Sequence, residues 1–408
     1  MSQSDFRMGR VEFVALVAMM FATIAFSIDA MLPALPEIAA ELSPELAHRA
    51  PLILTAFVFG MGVGTFVSGP LSDAFGRRNV VFAGAALYIV AAFVAWLSRS
   101  LEVMLLARVV QGLGASGPRV VAVAIVRDLY SGREMARIVS IVMMVFALVP
   151  AIAPALGAGI IVLAGWRAIF LAFMLFSAVV MLWMAFRLPE TLPPQDRRPL
   201  RLRLMVGAVR EMFAHPSVRL SILVQSLAMA MLFTMLMLVQ PIYDTVYGRG
   251  DSFPFWFGGI AVVSASASLI NALLVVRYGM RRLISITLFG QIILSAMMFG
   301  FDLGALPDPY GFAAFVVFQT CLFFQVGLTL GNLNAIAMEP MGHIAGMAAS
   351  VIGSVSTVLA ALIASPVGLM FDGTVAPLAL AILVMAAVAF ALMMYLGRVE
   401  TRAGAAAE

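Results

Sequence analysis

The chain has 408 residues, of which 63% are hydrophobic and only 11% are charged. Soluble globular domains usually carry about 25% charged residues, so this composition excludes a soluble protein. The formal net charge of +4 comes from arginine alone, since the chain contains no lysine, and this absence also excludes a Walker-type phosphate-binding loop.

Long apolar runs follow one another along the whole chain. Each has roughly 18 residues or more and is long enough to cross a hydrocarbon core of about 30 Å as a helix. The runs lack the two-residue alternation of barrel strands, so they predict an all-α polytopic membrane protein with twelve transmembrane helices. They lie near residues 11–32, 51–70, 79–98, 102–126, 138–164, 166–187, 218–242, 254–276, 283–302, 310–335, 344–370 and 375–397.

The N-terminal run follows Arg7 and Arg10, as in a signal peptide. Its length and the lack of a clear small-residue cleavage site favour a retained first span. With the N-terminus inside and twelve crossings, most of the 25 arginines fall in cytoplasmic segments, which agrees with the positive-inside rule. We therefore expect both termini in the cytoplasm and attribute the positive charge to topology rather than to nucleic-acid binding.

A polar, arginine- and proline-rich segment at residues 187–219 interrupts the apolar pattern. It predicts a six-helix half at 1–187, a cytoplasmic linker at 188–217 and a second six-helix half at 218–408. The second part of this segment is either a short basic helix on the anionic inner leaflet or a plain loop. "VVRYGMRRL" at 275–283 weakly repeats "DAFGRRNVV" at 73–81, as expected for a transporter built from duplicated halves with its substrate site between them near the middle of the membrane.

Residue types that hold metals or perform covalent catalysis are sparse. Cys321 is the single cysteine, and His48, His215 and His343 are scattered in or near loops. We therefore expect no disulfide, no metal site and no cofactor, and we expect the protein not to be an enzyme.

The stretch "SGPLSDAFGRRNVVF" at 68–82 concentrates charge and turn-forming residues between the second and third runs. Its charged residues could form an inner latch, in which Asp73 caps a neighbouring helix N-terminus and Arg77 pairs with Asp128 at the end of the fourth run. The alternative is a solvated loop that only follows the positive-inside rule. The residues assigned to this latch are Gly69, Asp73, Gly76, Arg77, Arg78 and Asp128.

Together these features resemble the major facilitator superfamily. The match is specific at Gly69, Leu71, Asp73, Gly76 and the Arg77–Arg78 pair, which follow the loop motif G-x-L-x-D-R-x-G-R-K, with Ala74 where a basic residue is common. "SIDAMLPALPEI", "RVVQGLGASG", "ETLPPQDRRP" and "IAGMAASVIGSV" further resemble the Bcr/CflA drug:proton antiporters. Pro154 and Gly157 correspond to the antiporter motif G-P-x-x-G-G, with Ala153 and Ala158 replacing two glycines.

The resemblance implies a fold of two pseudosymmetric six-helix halves in the bacterial inner membrane. It implies export of amphipathic antibiotics of the phenicol, bicyclomycin or sulfonamide type by alternating access, driven by a proton gradient. The expected partners are small-molecule drugs, protons and the lipid bilayer, with no nucleic acid, and the expected state is a monomer. The alternatives are a proton-coupled metabolite uptake symporter of the same fold and, less favoured, a membrane-embedded enzyme or sensor.

Two ionisable residues fall inside predicted spans at similar depth. Asp29 lies in the first run and Arg108 in the fourth, each roughly four to six residues from the outer end. Because such residues are expensive in a membrane, we assign Asp29 to proton transfer and Arg108 to its coupling, through direct pairing or electrostatic competition. The alternative for Asp29 is that it caps a kink at Pro33 or faces outer water.

Further polar residues inside the spans are candidates for lining a substrate cavity. The alternative is that they only form hydrogen bonds between helices, and Arg119, beside Pro118, is equally compatible with a structural role. The cavity candidates are Gln111, Arg119, Gln225, Gln240, Asn271 and Gln319.

Overall fold

The computed structural model describes residues 8–197, 199–200, 202–304 and 306–405, and its regular secondary structure in those ranges is helical. Arg7, Arg198 and Arg201, which we assigned to the cytoplasmic side, lie outside the described residues. Residue contacts divide the chain into two compact units. The first is Met1–Glu45 with Ala56–Arg201, and the second is Leu46–Thr55 with Leu202–Glu408.

Seven helices precede the linker. They are α1 (Arg10–Asp29), α2 (Leu35–Leu42), α3 (Leu52–Phe75), α4 (Arg77–Leu97), α5 (Leu101–Leu129), α6 (Gly132–Ala164) and α7 (Ala168–Arg187). Within the first unit, α4 packs against α5 and α7, and α1 packs against α6. The short helix α2 continues from α1 through a 3-10 turn at Leu32–Ala34 that contains Pro33.

Seven more helices complete the described chain. They are α8 (Leu202–Ala214), α9 (Pro216–Pro241), α10 (Phe253–Tyr278), α11 (Met280–Leu303), α12 (Tyr310–Met338), α13 (Ala345–Leu369) and α14 (Ala376–Ala405). Within the second unit, α9 packs against α12, α13 and α14, and α11 packs against α14. Helix α8 shows that the second part of the linker is helical rather than a plain loop, and its position on a leaflet stays a prediction.

Each predicted apolar run coincides with one long helix, so the all-α membrane protein is confirmed. The described residues contain 11 candidate spans, and one of them, Tyr310–Leu369, has 60 residues and comprises both α12 and α13. The pseudosymmetry, the orientation of the termini and the predicted domain boundaries stay predictions.

Glycines lie at the boundaries of several of these helices. Gly76 before α4, Gly165 after α6 and Gly279 between α10 and α11 have φ of 96°, 76° and 77°. Residues other than glycine rarely adopt a positive φ. Glycine at these three positions therefore allows the chain to reverse its direction between adjacent spans.

Candidate functional site

Arg108 is enclosed within the first unit and is 0% exposed. Its Nη1 donates to Oε1 of Gln111 at 2.7 Å, one turn further along α5. Its Nη2 donates to the main-chain carbonyl of Ser27 in α1 at 3.0 Å. The guanidinium carbon lies 4.3 Å from the ring centre of Phe57, so an aromatic face covers the charge.

Asp29 ends α1 two residues after Ser27 and is only 5% exposed. The 3-10 turn at Leu32–Ala34 has no side-chain cap, and the low exposure excludes a carboxyl group open to outer water. These observations argue against both structural alternatives for Asp29. Among the described residues the Asp29 carboxyl has no hydrogen bond or ion pair, so the expected direct pairing with Arg108 is also absent. Arg108 instead reaches the last turn of α1 through the Ser27 carbonyl.

Ser27 also connects this turn to Tyr88 in α4. The Ser27 hydroxyl donates its single hydrogen to the Thr23 carbonyl at 2.5 Å. In its 2.5 Å contact with the Tyr88 hydroxyl, Ser27 is therefore the acceptor and Tyr88 is the donor. Tyr88 is 1% exposed. The roles of Ser27, Tyr88 and Phe57 could not be predicted from the sequence, because uncharged residues in an apolar run give no distinguishing signal.

Glycines bring the surrounding helices into close contact. A Cβ built on Gly157 of α6 would collide with the Ala30 carbonyl, directly after Asp29, and one built on Gly112 of α5 would collide with the Phe57 carbonyl. Small residues allow such approaches between membrane helices. Gly157 of the antiporter motif therefore packs against the end of α1, while Pro154 is buried within α6.

The latch residues form a second cluster of the first unit. Nε of Arg77 donates to Oδ2 of Asp128 at 2.9 Å, which confirms the predicted pair. Nη1 of Arg77 donates to Oδ1 of Asp73 at 2.5 Å and to the Ser72 hydroxyl at 2.7 Å. The prediction that Asp73 caps a helix N-terminus is wrong, because its carboxylate neutralises the buried Arg77 instead.

The cap of α4 is supplied by Glu190, which follows α7. Its Oε1 and Oε2 accept from the backbone N–H groups of Arg77 and Arg78 at 2.9 and 3.1 Å. Arg78 donates in return to the carbonyls of Ala185 and Leu188, at the end of α7. Glu190 begins the stretch "ETLPPQDRRP" noted above, but its role as a helix cap was not predicted from the sequence. Gly69 lies in α3, where its carbonyl accepts from the Ser72 hydroxyl at 2.8 Å.

The cavity candidates differ in their partners. Oε1 of Gln111 accepts a hydrogen bond from Arg108, and Nη1 of Arg119 lies 3.8 Å from the sulfur of Met61. In the second unit, Asn271 accepts from Asn332 at 2.7 Å and Gln319 accepts from the Tyr243 hydroxyl at 3.0 Å. Gln111 and Arg108 lie in the same helix, whereas the contacts of Arg119, Asn271 and Gln319 join different elements and favour the interhelical role for these three residues.

Four of the cavity candidates have unused hydrogen-bonding capacity, since Nε2 of Gln111 and Nε2 of Gln319 also lack a partner among the described residues. Gln225 and Gln240 of α9 are 7% and 4% exposed, and the Oε1 atom of each lacks a partner among the described residues. Buried polar atoms are seldom left unpaired, so these two amides, like those of Gln111 and Gln319, are candidates for ligand contact. Their place in a substrate cavity stays a prediction.

Comparisons with known proteins agree with this architecture. Residues 15–365 match the family model described as "Major Facilitator Superfamily". The chain is 30% identical over 362 residues to the bicyclomycin resistance protein homolog of Haemophilus influenzae, covering 86% of this chain and 88% of that protein. It is 40% identical over 147 residues to the chloramphenicol resistance protein of Pseudomonas aeruginosa, covering 36% and 35%.

A solved structure shows a similar fold. The crystal structure of a D-xylose-proton symporter superposes with a TM-score of 0.73 at 14% identity, covering 93% of this chain and 97% of that chain. At this identity the likeness concerns the fold alone.

Proposed function

Because the chain belongs to the Major Facilitator Superfamily, we propose that it is a proton-coupled efflux antiporter for amphipathic antibiotics in a bacterial inner membrane. The proposed substrates are of the phenicol, bicyclomycin or sulfonamide type, and the proposed cycle is alternating access by a monomer without a cofactor. Support comes from relatives named for resistance to bicyclomycin and chloramphenicol. Those names do not favour the uptake alternative, and the family and fold are those of transporters rather than enzymes.

The observation that carries the proton-coupling part of the proposal is the burial of Asp29 next to the turn that Arg108 contacts. A desolvated carboxyl group favours its protonated form, whereas a nearby guanidinium favours the charged form. Arg108 is held at the last turn of α1, which ends at Asp29, by Ser27, Gln111 and the Phe57 ring. We propose that Asp29 carries the proton and that substrate entry changes the influence of Arg108 on it.

Proton release driven by drugs tests this function directly. Inside-out vesicles containing the full chain are energised to an acid interior, and a fluorescent probe reports internal pH as chloramphenicol, florfenicol and bicyclomycin are added. Antiport predicts release of luminal protons on drug addition, with a rate that saturates as drug concentration rises. Vesicles without the protein are the control for drugs that leak protons on their own.

The same vesicles also give the result that would overturn the proposal. If the gradient is stable and none of the drugs releases protons beyond the control, the antiporter proposal is overturned. Release of luminal protons that requires a sugar or another metabolite preloaded inside the vesicles would instead identify the uptake symporter, since symport carries the proton and the metabolite in the same direction.

A further inference from the structure

An arginine-lined cavity lies between α11 and α14 in the second unit, away from the clusters described above. Its volume is about 620 Å³. Arg281, Arg282 and Ser285 line it from the first turns of α11, and Met393, Met394 and Arg398 line it from α14. Arg281 also lies 3.9 Å from the carboxylate of Glu339, whereas Arg282 and Arg398 bring two further exposed guanidiniums to the same opening.

The surface next to this cavity is apolar. On α11, Ile286 and Phe289 are 54% and 52% exposed, and on α14, Met394 and Tyr395 are 47% and 54% exposed. In a membrane protein, large exposed apolar side chains on long spanning helices lie against acyl chains. The arginines therefore border a lipid-facing surface at the end that we predict to be cytoplasmic.

We propose that this cavity binds the phosphate headgroup of an anionic phospholipid of the cytoplasmic leaflet. The guanidiniums of Arg282 and Arg398 hold the phosphate through charge-assisted hydrogen bonds, assisted by Arg281. The acyl chains descend along Met394 and Phe289. Basic pockets between helices on the cytoplasmic side are suited to anionic headgroups, and the adjoining apolar surface favours a lipid over free phosphate.

Native mass spectrometry of the purified full chain tests the site with defined lipids. We expect phosphatidylglycerol to remain bound in preference to phosphatidylcholine of the same chains, and excess inorganic phosphate not to displace it. The Arg282→Gln/Arg398→Gln variant should bind phosphatidylglycerol roughly tenfold or more weakly, because each arginine near an anionic surface contributes substantially to lipid affinity. The matched control, Arg99→Gln/Arg133→Gln, removes two exposed arginines elsewhere and should bind like the wild type.

A second measurement locates the lipid without removing the arginines. Met394→Cys in a Cys321→Ser background carries a fluorophore beside the cavity, and phosphatidylglycerol with brominated chains should quench it more than the phosphatidylcholine analogue. Equal retention of the two lipids, equal quenching by them, unchanged affinity in the Arg282 and Arg398 variant, or displacement by inorganic phosphate would each overturn the proposal.

Discussion

The main-chain carbonyl of Ser27 accepts a 3.0 Å hydrogen bond from Nη2 of Arg108, although 81 residues separate the two. This bond brings a buried guanidinium to the last turn of α1, which ends at Asp29. Two N–H groups of Arg108 donate to neutral oxygens, those of the Gln111 side chain and the Ser27 main chain. Such an arrangement allows the charge of Arg108 to influence Asp29 without locking the two side chains together.

Asp29→Asn should abolish drug-driven proton release while leaving expression unchanged. The amide has nearly the shape of the carboxyl group but cannot lose a proton, so transport is uncoupled from the gradient. Proton release from inside-out vesicles measures the effect, and accumulation of labelled drug against its gradient is recorded in parallel. Uphill drug transport at the wild-type rate in Asp29→Asn would remove Asp29 from the mechanism.

Arg108→Gln should reduce proton release far more than drug binding, and Arg108→Lys should retain part of the release. Lysine keeps the positive charge but lacks the planar fork that reaches Gln111 and the Ser27 carbonyl together. Drug binding to detergent-solubilised protein is compared with proton release from vesicles for both variants. A purely structural role would lower both quantities together and would bring no advantage for lysine over glutamine.

Asp128→Asn should slow transport more than Asp73→Asn, with no change in the drugs that are transported. Both carboxylates neutralise Arg77, but the side chain of Asp128 is 15% exposed and that of Asp73 is 42% exposed, so water screens the Asp73 pair more strongly. The turnover rate and the order of preference among the drugs are measured for each variant. An altered order of preference would contradict a latch role.

Glu190→Gln should lower the free energy of unfolding by about 1 kcal/mol, the usual size of a helix cap. The carboxylate accepts from two successive backbone N–H groups of α4, and an amide offers one oxygen in place of two. A lower Tm of the purified protein measures the loss. Glu134→Gln is the matched control, since it removes only an exposed pair with Arg10 and should cost about 0.5 kcal/mol or less. An equal Tm for the two variants would argue against the cap.

Gly157→Ala should destabilise the protein by about 1–3 kcal/mol and reduce transport, because overpacking forces neighbouring groups to move. The new methyl group would collide with the Ala30 carbonyl, next to Asp29. Gly159→Ala is the matched control on the same helix, where a Cβ meets no atom within 4 Å. Tm and proton release are measured for both. Similar behaviour of the two variants would show that the close approach of α6 to α1 is not needed.

The sequence by itself determined the helical spans, because a helix satisfies its backbone within one segment and the length of an apolar run sets where it can cross a membrane. It also identified Asp29 and Arg108 as unusual and anticipated the Arg77–Asp128 pair, since isolated charges in apolar runs stand out. Only the tertiary structure decided which groups Arg108 contacts and which residue caps α4. Arg108 bonds to Ser27 and Gln111 rather than to Asp29, and Glu190 rather than Asp73 caps α4. These contacts depend on how closely distant helices approach. They use main-chain carbonyls and N–H groups, which all residues except proline carry in common, so the sequence does not show which of these groups will be contacted.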